Sequence, residues 1–200
     1  MPKVVDADER RHVLAAAAAR VIAASGIAAT TLRDVAAEAG LTTGSLTHYF
    51  SDKHELLIFT LQASLEHRRA AHPRADTGDV VADLRSLLEG VLPISDVARL
   101  HWIVSIAFAA EAAADDELAA VQRRAYRHFL ESATDLVARA RATRRIAVAG
   151  DPATTAQLLI ALADGVALQA LFDEESWPVD RQRSQLAAGF DALLRPTDRG

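Results

Sequence analysis

Residues 32–50 read LRDVAAEAGLTTGSLTHYF and carry two short helical patterns on either side of one glycine. Thr31 and Asp34 have the spacing of a capping box, which predicts the start of the first of these helices. Gly40 suits the turn that follows, because glycine adopts a left-handed backbone at little cost. Thr42 can cap the second helix. The stretch therefore predicts a helix-turn-helix, the unit that places its second helix in the DNA major groove.

The apolar side chains of this stretch can form only a minimal core. The small side chain of Ala36 allows two helices to cross closely, and the larger side chains that seal the unit are Val35, Leu41, Leu46 and Phe50. A unit of this size is not stable alone, so we expect the preceding and following helices to pack around it.

The rest of the chain also has helical patterns. No segment keeps the apolar–polar alternation of a half-buried strand. We therefore expect an all-α protein of nine helices, with approximate bounds 6–26, 31–39, 42–49, 51–71, 79–92, 97–113, 118–143, 152–172 and 181–194. Asp6 with Glu9 predicts a capping box for the first helix, and Asp151 followed by Pro152 is a strong start signal for the eighth. The sixth helix is apolar on nearly all sides, which predicts that it is buried.

Composition bounds the class of protein. The chain has 200 residues, of which 50% are hydrophobic and 24% charged, so it can bury a core. It has no cysteine, which excludes disulfides and thiolate chemistry. The N-terminal segment lacks the apolar stretch of a signal peptide, and the best apolar run, residues 100–110, is too short to span a bilayer. We expect a cytoplasmic protein of two domains, 1–72 and 73–200, that does not contact a membrane.

Four motifs, together with the first helix, resemble the N-terminal domain of TetR-family transcriptional regulators. The motifs are TLRDVA at 31–36, GSL at 44–46, the Tyr49-Phe50 pair and DKHELL at 52–57. The match covers about residues 8–60, and the later run LIALADGVALQ at 159–169 is similar to the BetI-like subgroup. The resemblance implies a DNA-binding domain over 1–72 and a ligand-binding and dimerisation domain over 73–200. It also implies a homodimeric repressor that binds an operator in double-stranded DNA and is released by a small-molecule effector.

By position, the resemblance implies a DNA-contacting surface on the helix-turn-helix and at the start of the fourth helix. The groove-facing residues would be Thr42, Thr43, Ser45, Thr47 and His48, and the phosphate contacts would be Arg33, Tyr49 and Lys53. Thr43 and Thr47 stand where many relatives carry Lys and Tyr, so the operator sequence does not follow from the resemblance. Tyr49 is equally consistent with a core residue, because a tyrosine can bury its ring and still expose its hydroxyl.

Aromatic and polar side chains are concentrated on the predicted sixth and seventh helices, namely His101, Trp102, Phe108, Glu111, Tyr126, His128 and Phe129. Given the resemblance, we expect them to line an effector site between helices, with a filled core as the alternative. Glu111 lies on an apolar helix and therefore needs a partner, which is Arg99, Arg127 or a cationic ligand. An internal ion pair is the favoured choice.

The last two predicted helices carry apolar residues interrupted by small and polar ones. The predicted dimerisation residues are Leu158, Leu162, Gly165, Val166, Gln169, Leu186, Phe190 and Leu193. Two such helices from each subunit can form an intermolecular four-helix bundle, in which Gly165 permits close approach. A dimer places two recognition helices one DNA turn or a multiple of it apart, which predicts a near-palindromic operator.

The formal net charge of −5 is unusual for a protein that binds DNA. Residues 1–72 carry eight basic and eight acidic side chains, whereas residues 73–200 carry 14 basic and 19 acidic ones. The DNA-binding domain is therefore neutral rather than basic. We predict few phosphate contacts and a shallow dependence of DNA affinity on salt.

Two alternatives to a ligand-responsive repressor remain. One is a DNA-binding dimer with a filled core and no small-molecule effector. The other is a helical-bundle enzyme, which the seven histidines disfavour because they show neither an HExxH motif nor a paired Glu-x-x-His spacing. The sequence accordingly predicts no catalytic residue, no metal ligand and no cofactor.

Overall fold

The computed structural model describes residues 7–71, 77–143, 146–147 and 150–196. In these ranges the chain forms α1 (Ala7–Ala29), α2 (Leu32–Glu38), α3 (Thr43–Leu46), α4 (Lys53–Ala71), α5 (Val80–Glu89), α6 (Asp96–Glu111), α7 (Asp116–Ala142), β1 (Ile146–Ala147), α8 (Pro152–Phe172), α9 (Val179–Leu193) and β2 (Arg195–Pro196). The strands β1 and β2 pair antiparallel over two residues each. The predicted all-α class of nine helices is confirmed.

Side-chain caps begin several of these helices at the predicted residues. Thr31 and Asp34 form the complete capping box of α2. Asp79 accepts hydrogen bonds from two backbone N–H groups at the start of α5, and Asp151 does the same ahead of Pro152 in α8. The hydrogen bond from the Thr154 hydroxyl is the main cause that lowers the pKa of the Asp151 carboxyl. These boundaries are local, which is why the sequence alone predicted them.

The first helix contains a break at the predicted glycine. Gly26 has φ of +78°, a left-handed value, and the short helical piece after it continues to Ala29. The Thr30 hydroxyl donates a 2.8 Å hydrogen bond to the Gly26 carbonyl oxygen, which fixes this turn. The predicted capping box at Asp6 lies outside the described residues.

The chain divides into two compact units. The N-terminal unit comprises residues 1–71 and 100–124, and the C-terminal unit comprises residues 72–99 and 125–200. The first division lies between residues 71 and 72, and residues 100–124 cluster with the N-terminal unit rather than with the later helices. The assignment of separate functions to 1–72 and 73–200 stays a prediction.

The N-terminal unit contains two apolar clusters. One holds the helix-turn-helix together and consists of Leu14, Ala17, Ala18, Val35, Ala36, Leu46, Phe50 and Leu56. The other joins α1 and α4 to α6 and α7 and consists of Ala19, Ile22, Ile27, Leu57, Leu61, Val104, Phe108, Leu118 and Val121. The predicted packing of the first and fourth helices around the helix-turn-helix is thus observed.

The C-terminal unit is built around close packing of α8 and α9. A side-chain Cβ at Gly189 would lie only 2.5 Å from Cδ2 of Leu162, so glycine at 189 permits this approach. The close approach predicted at Gly165 is between subunits and stays a prediction; within the chain a Cβ there meets no atom within 4 Å. On the neighbouring α5, Arg85 forms a 2.9 Å ion pair with Asp191 of α9.

The prediction that the sixth helix is buried on nearly all sides is wrong. Within α6 only Val104 and Phe108 are buried, and Val97 and Ile106 are exposed. One face packs against the second apolar cluster, and the other side chains of α6 are half-buried or exposed. Among the described residues, α1 and α8 are long and apolar enough to cross a membrane by length and composition alone. Each buries one face in its own unit, as core helices of soluble proteins do.

Candidate nucleic-acid interface

An arginine on α1 fixes the start of α4 against the helix-turn-helix. The Arg11 guanidinium donates a 3.0 Å hydrogen bond to Glu55 of α4. Its central carbon lies 4.7 Å from the ring centroid of Phe50 and 4.5 Å from that of Phe59. A guanidinium held over aromatic rings and paired with a carboxylate is rigid, because attraction to the rings adds to the ion pair. Sequence analysis did not identify Arg11, whose partners are distant in sequence.

The Glu55 carboxylate also caps α4. It accepts hydrogen bonds from the backbone N–H of Ser51 at 2.8 Å and from the Ser51 hydroxyl at 3.0 Å. The backbone hydrogen bond from Ser51 is the main cause that lowers the pKa of the Glu55 carboxyl. Asp52 accepts from the Glu55 N–H at 2.8 Å, which adds a second cap to the same turn. The first turn of α4 is therefore well fixed.

Three of the five predicted groove-facing side chains have hydroxyls that bond within the recognition helix region. The Thr42 hydroxyl oxygen accepts from the Ser45 N–H at 3.2 Å and lies 3.0 Å from the Ser45 hydroxyl oxygen. The Thr47 hydroxyl donates to the Gly44 carbonyl oxygen at 2.9 Å. Helix α3 ends at Leu46, earlier than predicted, and Thr47 to Tyr49 continue as a turn. These hydroxyls stabilise the short helix, as side chains at caps and ends do.

The other two predicted groove-facing side chains, Thr43 and His48, are exposed. Within the described part of the chain, neither forms a side-chain hydrogen bond or ion pair. The exposed Arg33 guanidinium of α2 likewise has no hydrogen bond or ion pair there. Tyr49 packs its half-buried ring against the first apolar cluster, and its hydroxyl makes no hydrogen bond to a described residue. The donors on this face are thus available to another molecule.

Lys53 makes contacts within the chain that the sequence did not predict, while its phosphate contact stays a prediction. Its ammonium donates to the carbonyl oxygen of Ile27 at 2.8 Å and to that of Ala28 at 3.4 Å. The carbonyls at the end of a helix lack intrahelical partners, and a cation is favourable beside them. Lys53 therefore ties the end of α1 to the start of α4. In the sequence, Gly26 indicated where α1 breaks. It did not indicate which cation would contact the carbonyl oxygens that follow the break.

The predicted effector residues are distributed over both compact units, and their role stays a prediction. Phe108 is buried within the second apolar cluster, and His101 lies 2.7 Å from the Ser64 hydroxyl through its Nδ1 atom. Tyr126 is 48% exposed, and Phe129 is half-buried. His101, Trp102, Phe108 and Glu111 belong to the N-terminal unit, whereas Tyr126, His128 and Phe129 belong to the C-terminal unit.

The predicted internal ion pair of Glu111 is wrong. Glu111 is exposed at the end of α6, so its carboxylate is solvated and needs no buried partner. Arg99 instead forms a 3.1 Å ion pair with Glu174 and donates to the carbonyl oxygens of Ala170 and Leu171 at the end of α8. Arg127, the other predicted partner, is exposed.

The predicted dimerisation residues fall into two groups. Val166, Leu186 and Phe190 are buried in the core of the protomer itself. Leu158 and Gln169 are exposed, and Leu162, Gly165 and Leu193 are half-buried. The three buried side chains therefore pack within the chain, and only the second group reaches the surface.

Comparison with known proteins assigns the chain to a family. Residues 14–58 match the family described as bacterial regulatory proteins, tetR family, and residues 80–195 match the C-terminal domain of BetI-type transcriptional repressors. The HTH-type transcriptional regulator BetI of Paraburkholderia phymatum is 32% identical over 203 residues, covering 97% of each chain. The HTH-type transcriptional regulator PksA of Bacillus subtilis is 30% identical over 176 residues, covering 86% of this chain and 84% of PksA.

Solved structures share the fold. A transcriptional regulator from Rhodococcus sp. Rha1 superposes with a TM-score of 0.81 at 27% identity, over 92% of this chain and 95% of that chain. A protein from Saccharomonospora viridis, crystallised in complex with choline, gives a TM-score of 0.81 at 22% identity, over 94% of this chain and 98% of that one.

The fold and the exposed recognition helix define a helix-turn-helix transcriptional regulator. The chain belongs to the TetR family and carries a BetI-type C-terminal domain. It is a regulator rather than an enzyme, as its relatives are.

Proposed function

We propose that this TetR-family regulator is a repressor that binds a near-palindromic operator as a homodimer in the cytoplasm and is released by a small, largely apolar effector. The observation that carries the proposal is the division of roles on the recognition helix. The hydroxyls of Thr42, Ser45 and Thr47 bond within the recognition helix region itself. Thr43 and His48 are exposed, and their side chains have no partner among the described residues. Unpaired, exposed polar side chains on a helix-turn-helix are suited to base edges.

Each available side chain suits one kind of DNA contact. The Thr43 hydroxyl can bond to a base edge and its methyl can pack on thymine, and the His48 ring can donate or accept according to its tautomer. Arg33 and the Tyr49 hydroxyl can contact phosphates, which fix register but carry no sequence information. Lys53 keeps an ammonium donor beyond its two carbonyl partners, so it can add a phosphate contact while it holds α1 and α4 together.

The proposed base and phosphate contacts are tested by measuring how variants of each kind bind the DNA upstream of the protein's own gene. Thr43→Val and His48→Gln should change which base pairs are preferred, by about 1–3 kcal/mol at the contacted position. Arg33→Gln should weaken all sequences alike and reduce the salt slope by about one. Arg127→Gln is the matched control, because Arg127 is an exposed arginine on α7 outside the helix-turn-helix. Equal losses on all sequences from the Thr43, His48 and Arg33 variants would contradict these assignments.

The dimer part of the proposal rests on an exposed seam along α8. We name as the α8 seam the residues Leu158, Ala161, Gly165, Leu168 and Phe172, which follow one another at steps of three and four. This is the spacing of a helix that packs lengthwise against another helix. Leu158 is 52% exposed, Leu168 37% and Phe172 77%, although the opposite face of α8 is buried in the protomer. A second copy of the chain is the natural cover for such a seam in a two-fold dimer.

Gly165 makes the seam testable by sterics. A leucine at 165 meets no atom of the protomer within 4 Å of its Cβ, so the chain should fold, but the side chain would block close approach of a second α8. We expect light scattering to give twice 21.4 kDa for the wild type and 21.4 kDa for Gly165→Leu and Leu158→Asp. Val97→Asp, at a residue that is equally exposed on α6, should leave the dimer intact. A dimeric Gly165→Leu variant would refute the α8 seam as the interface.

Effector responsiveness is supported by the family and by the aromatic side chains of α6 and α7. The structural neighbour in complex with choline indicates that this fold can hold a small molecule. Because Glu111 is exposed, the charged residue that favoured a cationic effector does not support one, and half-buried Trp102 on α6 favours an apolar ligand. Thermal unfolding should be measured with choline and with a panel of apolar carboxylates and aromatics. A rise in Tm that accompanies release from DNA supports the proposal, and no rise with any compound favours the filled-core alternative.

A further inference from the structure

The recognition helix α3 is too short to fix its own position. Of its four residues only Leu46 is buried. A single helical turn has little stability of its own, so its position depends on the segments on either side of it. On its C-terminal side the backbone N–H groups of Tyr49 and Phe50 both donate to the Leu46 carbonyl oxygen, at 2.9 and 3.2 Å. A contact that fixes Phe50 and the following Ser51 therefore also fixes the end of the recognition helix.

One side chain of α1 is connected to this segment in two ways. The central carbon of the Arg11 guanidinium lies 4.7 Å from the ring centroid of Phe50. Its Nη2 atom donates to Oε1 of Glu55, while Oε2 of Glu55 accepts from the N–H and the hydroxyl of Ser51. The Phe59 ring, with its centroid 4.5 Å away, gives the guanidinium a second aromatic contact. All of these residues belong to the N-terminal unit.

The Arg11 guanidinium is bound to the protein in a way that disfavours contact with DNA. Its Nε atom is buried and has no hydrogen-bond partner among the described residues, so this edge is closed to a phosphate from solvent. The carboxylate of Glu55 beside Nη2 repels a phosphate. We propose that Arg11 is a positioning residue for operator recognition: it fixes the end of the recognition helix and so sets sequence selectivity without contacting DNA. This role rests on the operator binding proposed above.

Base contacts and phosphate contacts respond differently when a recognition helix is held less firmly. A base contact requires placement within roughly 0.5 Å, so a loosely held helix discriminates less between sequences. Phosphate contacts position the protein on any sequence, and their number sets the dependence of affinity on salt. Loss of the Arg11 side chain should therefore lower selectivity. The salt dependence should stay as in the wild type, because no phosphate contact is removed.

The experiment measures, by fluorescence anisotropy, the affinity of the full chain for the DNA upstream of its own gene and for a scrambled duplex, over a range of salt concentrations. Selectivity is the ratio of the two affinities. In Arg11→Gln we expect selectivity to fall about tenfold, which is within the discrimination that one base contact provides. Affinity for the scrambled duplex should stay within about threefold, with the same salt slope. Urea unfolding first establishes that each variant is folded under the conditions of the assay.

Arg20→Gln is the matched control. Arg20 is also on α1, and its Nε atom donates to Glu38 of α2 at 2.6 Å, so the substitution removes the same charge and also breaks an ion pair of α1. It leaves the contacts with Phe50 and Glu55 intact, and selectivity should therefore be kept. An equal loss of selectivity in Arg20→Gln would overturn the specific role of Arg11.

Two further outcomes would contradict the proposal. Equal losses of affinity for both duplexes, with a salt slope smaller by about one, would mean that Arg11 contacts a phosphate. Wild-type selectivity in a folded Arg11→Gln would show that the positioning is not needed, while the proposed operator binding would stand. A wild type without selectivity would overturn the operator binding and this role with it.

Arg11→Lys carries the test if Arg11→Gln does not fold. Lysine keeps the positive charge but lacks the planar fork that packs on the two rings and pairs with Glu55 at once. We expect a partial loss of selectivity, about threefold, with an unchanged salt slope. Full wild-type selectivity in Arg11→Lys would show that a point charge suffices, and this would overturn the role assigned to the guanidinium.

Discussion

Arg11 on α1 and Glu55 on α4 form a 3.0 Å ion pair between residues 44 positions apart, beside the aromatic ring of Phe50. The pair lies behind the helix-turn-helix and connects the two helices that flank it. The ion pair fixes α1 against α4, and the short α2 and α3 pack on these two helices.

Replacing Glu55 by Gln should lower the free energy of unfolding by about 1 kcal/mol at neutral pH, as loss of a helix cap typically does. The pKa of Glu55 is lowered in the fold, chiefly by the Ser51 backbone N–H, from an ordinary value of 4.5. The carboxylate therefore stabilises the fold above that ordinary value, and the contribution is lost as the pH falls through the lowered value. The difference between wild type and Glu55→Gln, measured by urea unfolding, should shrink in acid. A difference that grows in acid would contradict the assignment.

The hydroxyl of Thr42 is predicted to act on helix stability rather than on base identity. Thr42→Ala should cost about 1 kcal/mol of unfolding free energy, and Thr42→Ser should restore most of it, because serine caps equally well. Thr43→Val is the matched neighbour and should leave the stability within about 0.5 kcal/mol. The check is chemical denaturation of all three variants. Equal stability of the Thr42 and Thr43 variants would show that the cap is not important.

Lys53→Met should reduce both stability and DNA binding. Its ammonium bonds the carbonyls of Ile27 and Ala28, and loss of these bonds should cost about 1 kcal/mol, while affinity should fall alike for all DNA sequences. Arg33→Gln offers the contrast, because the Arg33 side chain is not bonded to described residues and its loss should reduce affinity alone. Stability is read from urea unfolding and affinity from fluorescence anisotropy. If Lys53→Met were as stable as the wild type, the contact of Lys53 with α1 would not stabilise the fold.

The packing of Gly189 against Leu162 predicts coupling between the two positions. In a Leu162→Ala background, Gly189→Ala should stabilise α9 by up to about 1 kcal/mol, the usual gain from alanine in a helix. In the wild-type background the new Cβ would lie 2.5 Å from Leu162 Cδ2, so that gain should be cancelled or reversed. A double-mutant cycle measures the coupling, expected at about 1 kcal/mol. Additive effects would mean that Leu162 moves aside freely.

Most of the fold could be predicted because its signals are local. The capping pairs at Thr31 and Asp151, and the glycine at 40, fix helix ends through atoms a few residues apart. Helical periodicity then places one face of each helix inside. Such patterns do not say which of several apolar faces is covered, and this is why α6 was predicted to be buried and Glu111 to be paired.

The candidate site could be predicted in part. The sequence identified the recognition helix and its polar residues, but not which hydroxyls the helix itself would use. The contacts of Lys53 with Ile27 and of Arg11 with Glu55 join residues that are 26 and 44 positions apart. Long flexible cations have many possible partners, and only the crossing of α1 with α4 selects one.

The central claim is that the helix-turn-helix surface recognises an operator. Its most direct test measures the affinity of the wild-type protein for the DNA upstream of its own gene and for a scrambled duplex of the same length, over a range of salt concentrations. Exposed Thr43 and His48 should give sequence-selective binding, and the small number of cations on the described recognition surface, Arg33 and Lys53, should give a shallow salt slope. We predict tighter binding to the upstream DNA at every salt concentration. Equal affinity for the two duplexes, or a steep salt slope with no selectivity, would contradict the assignment of this surface to operator recognition.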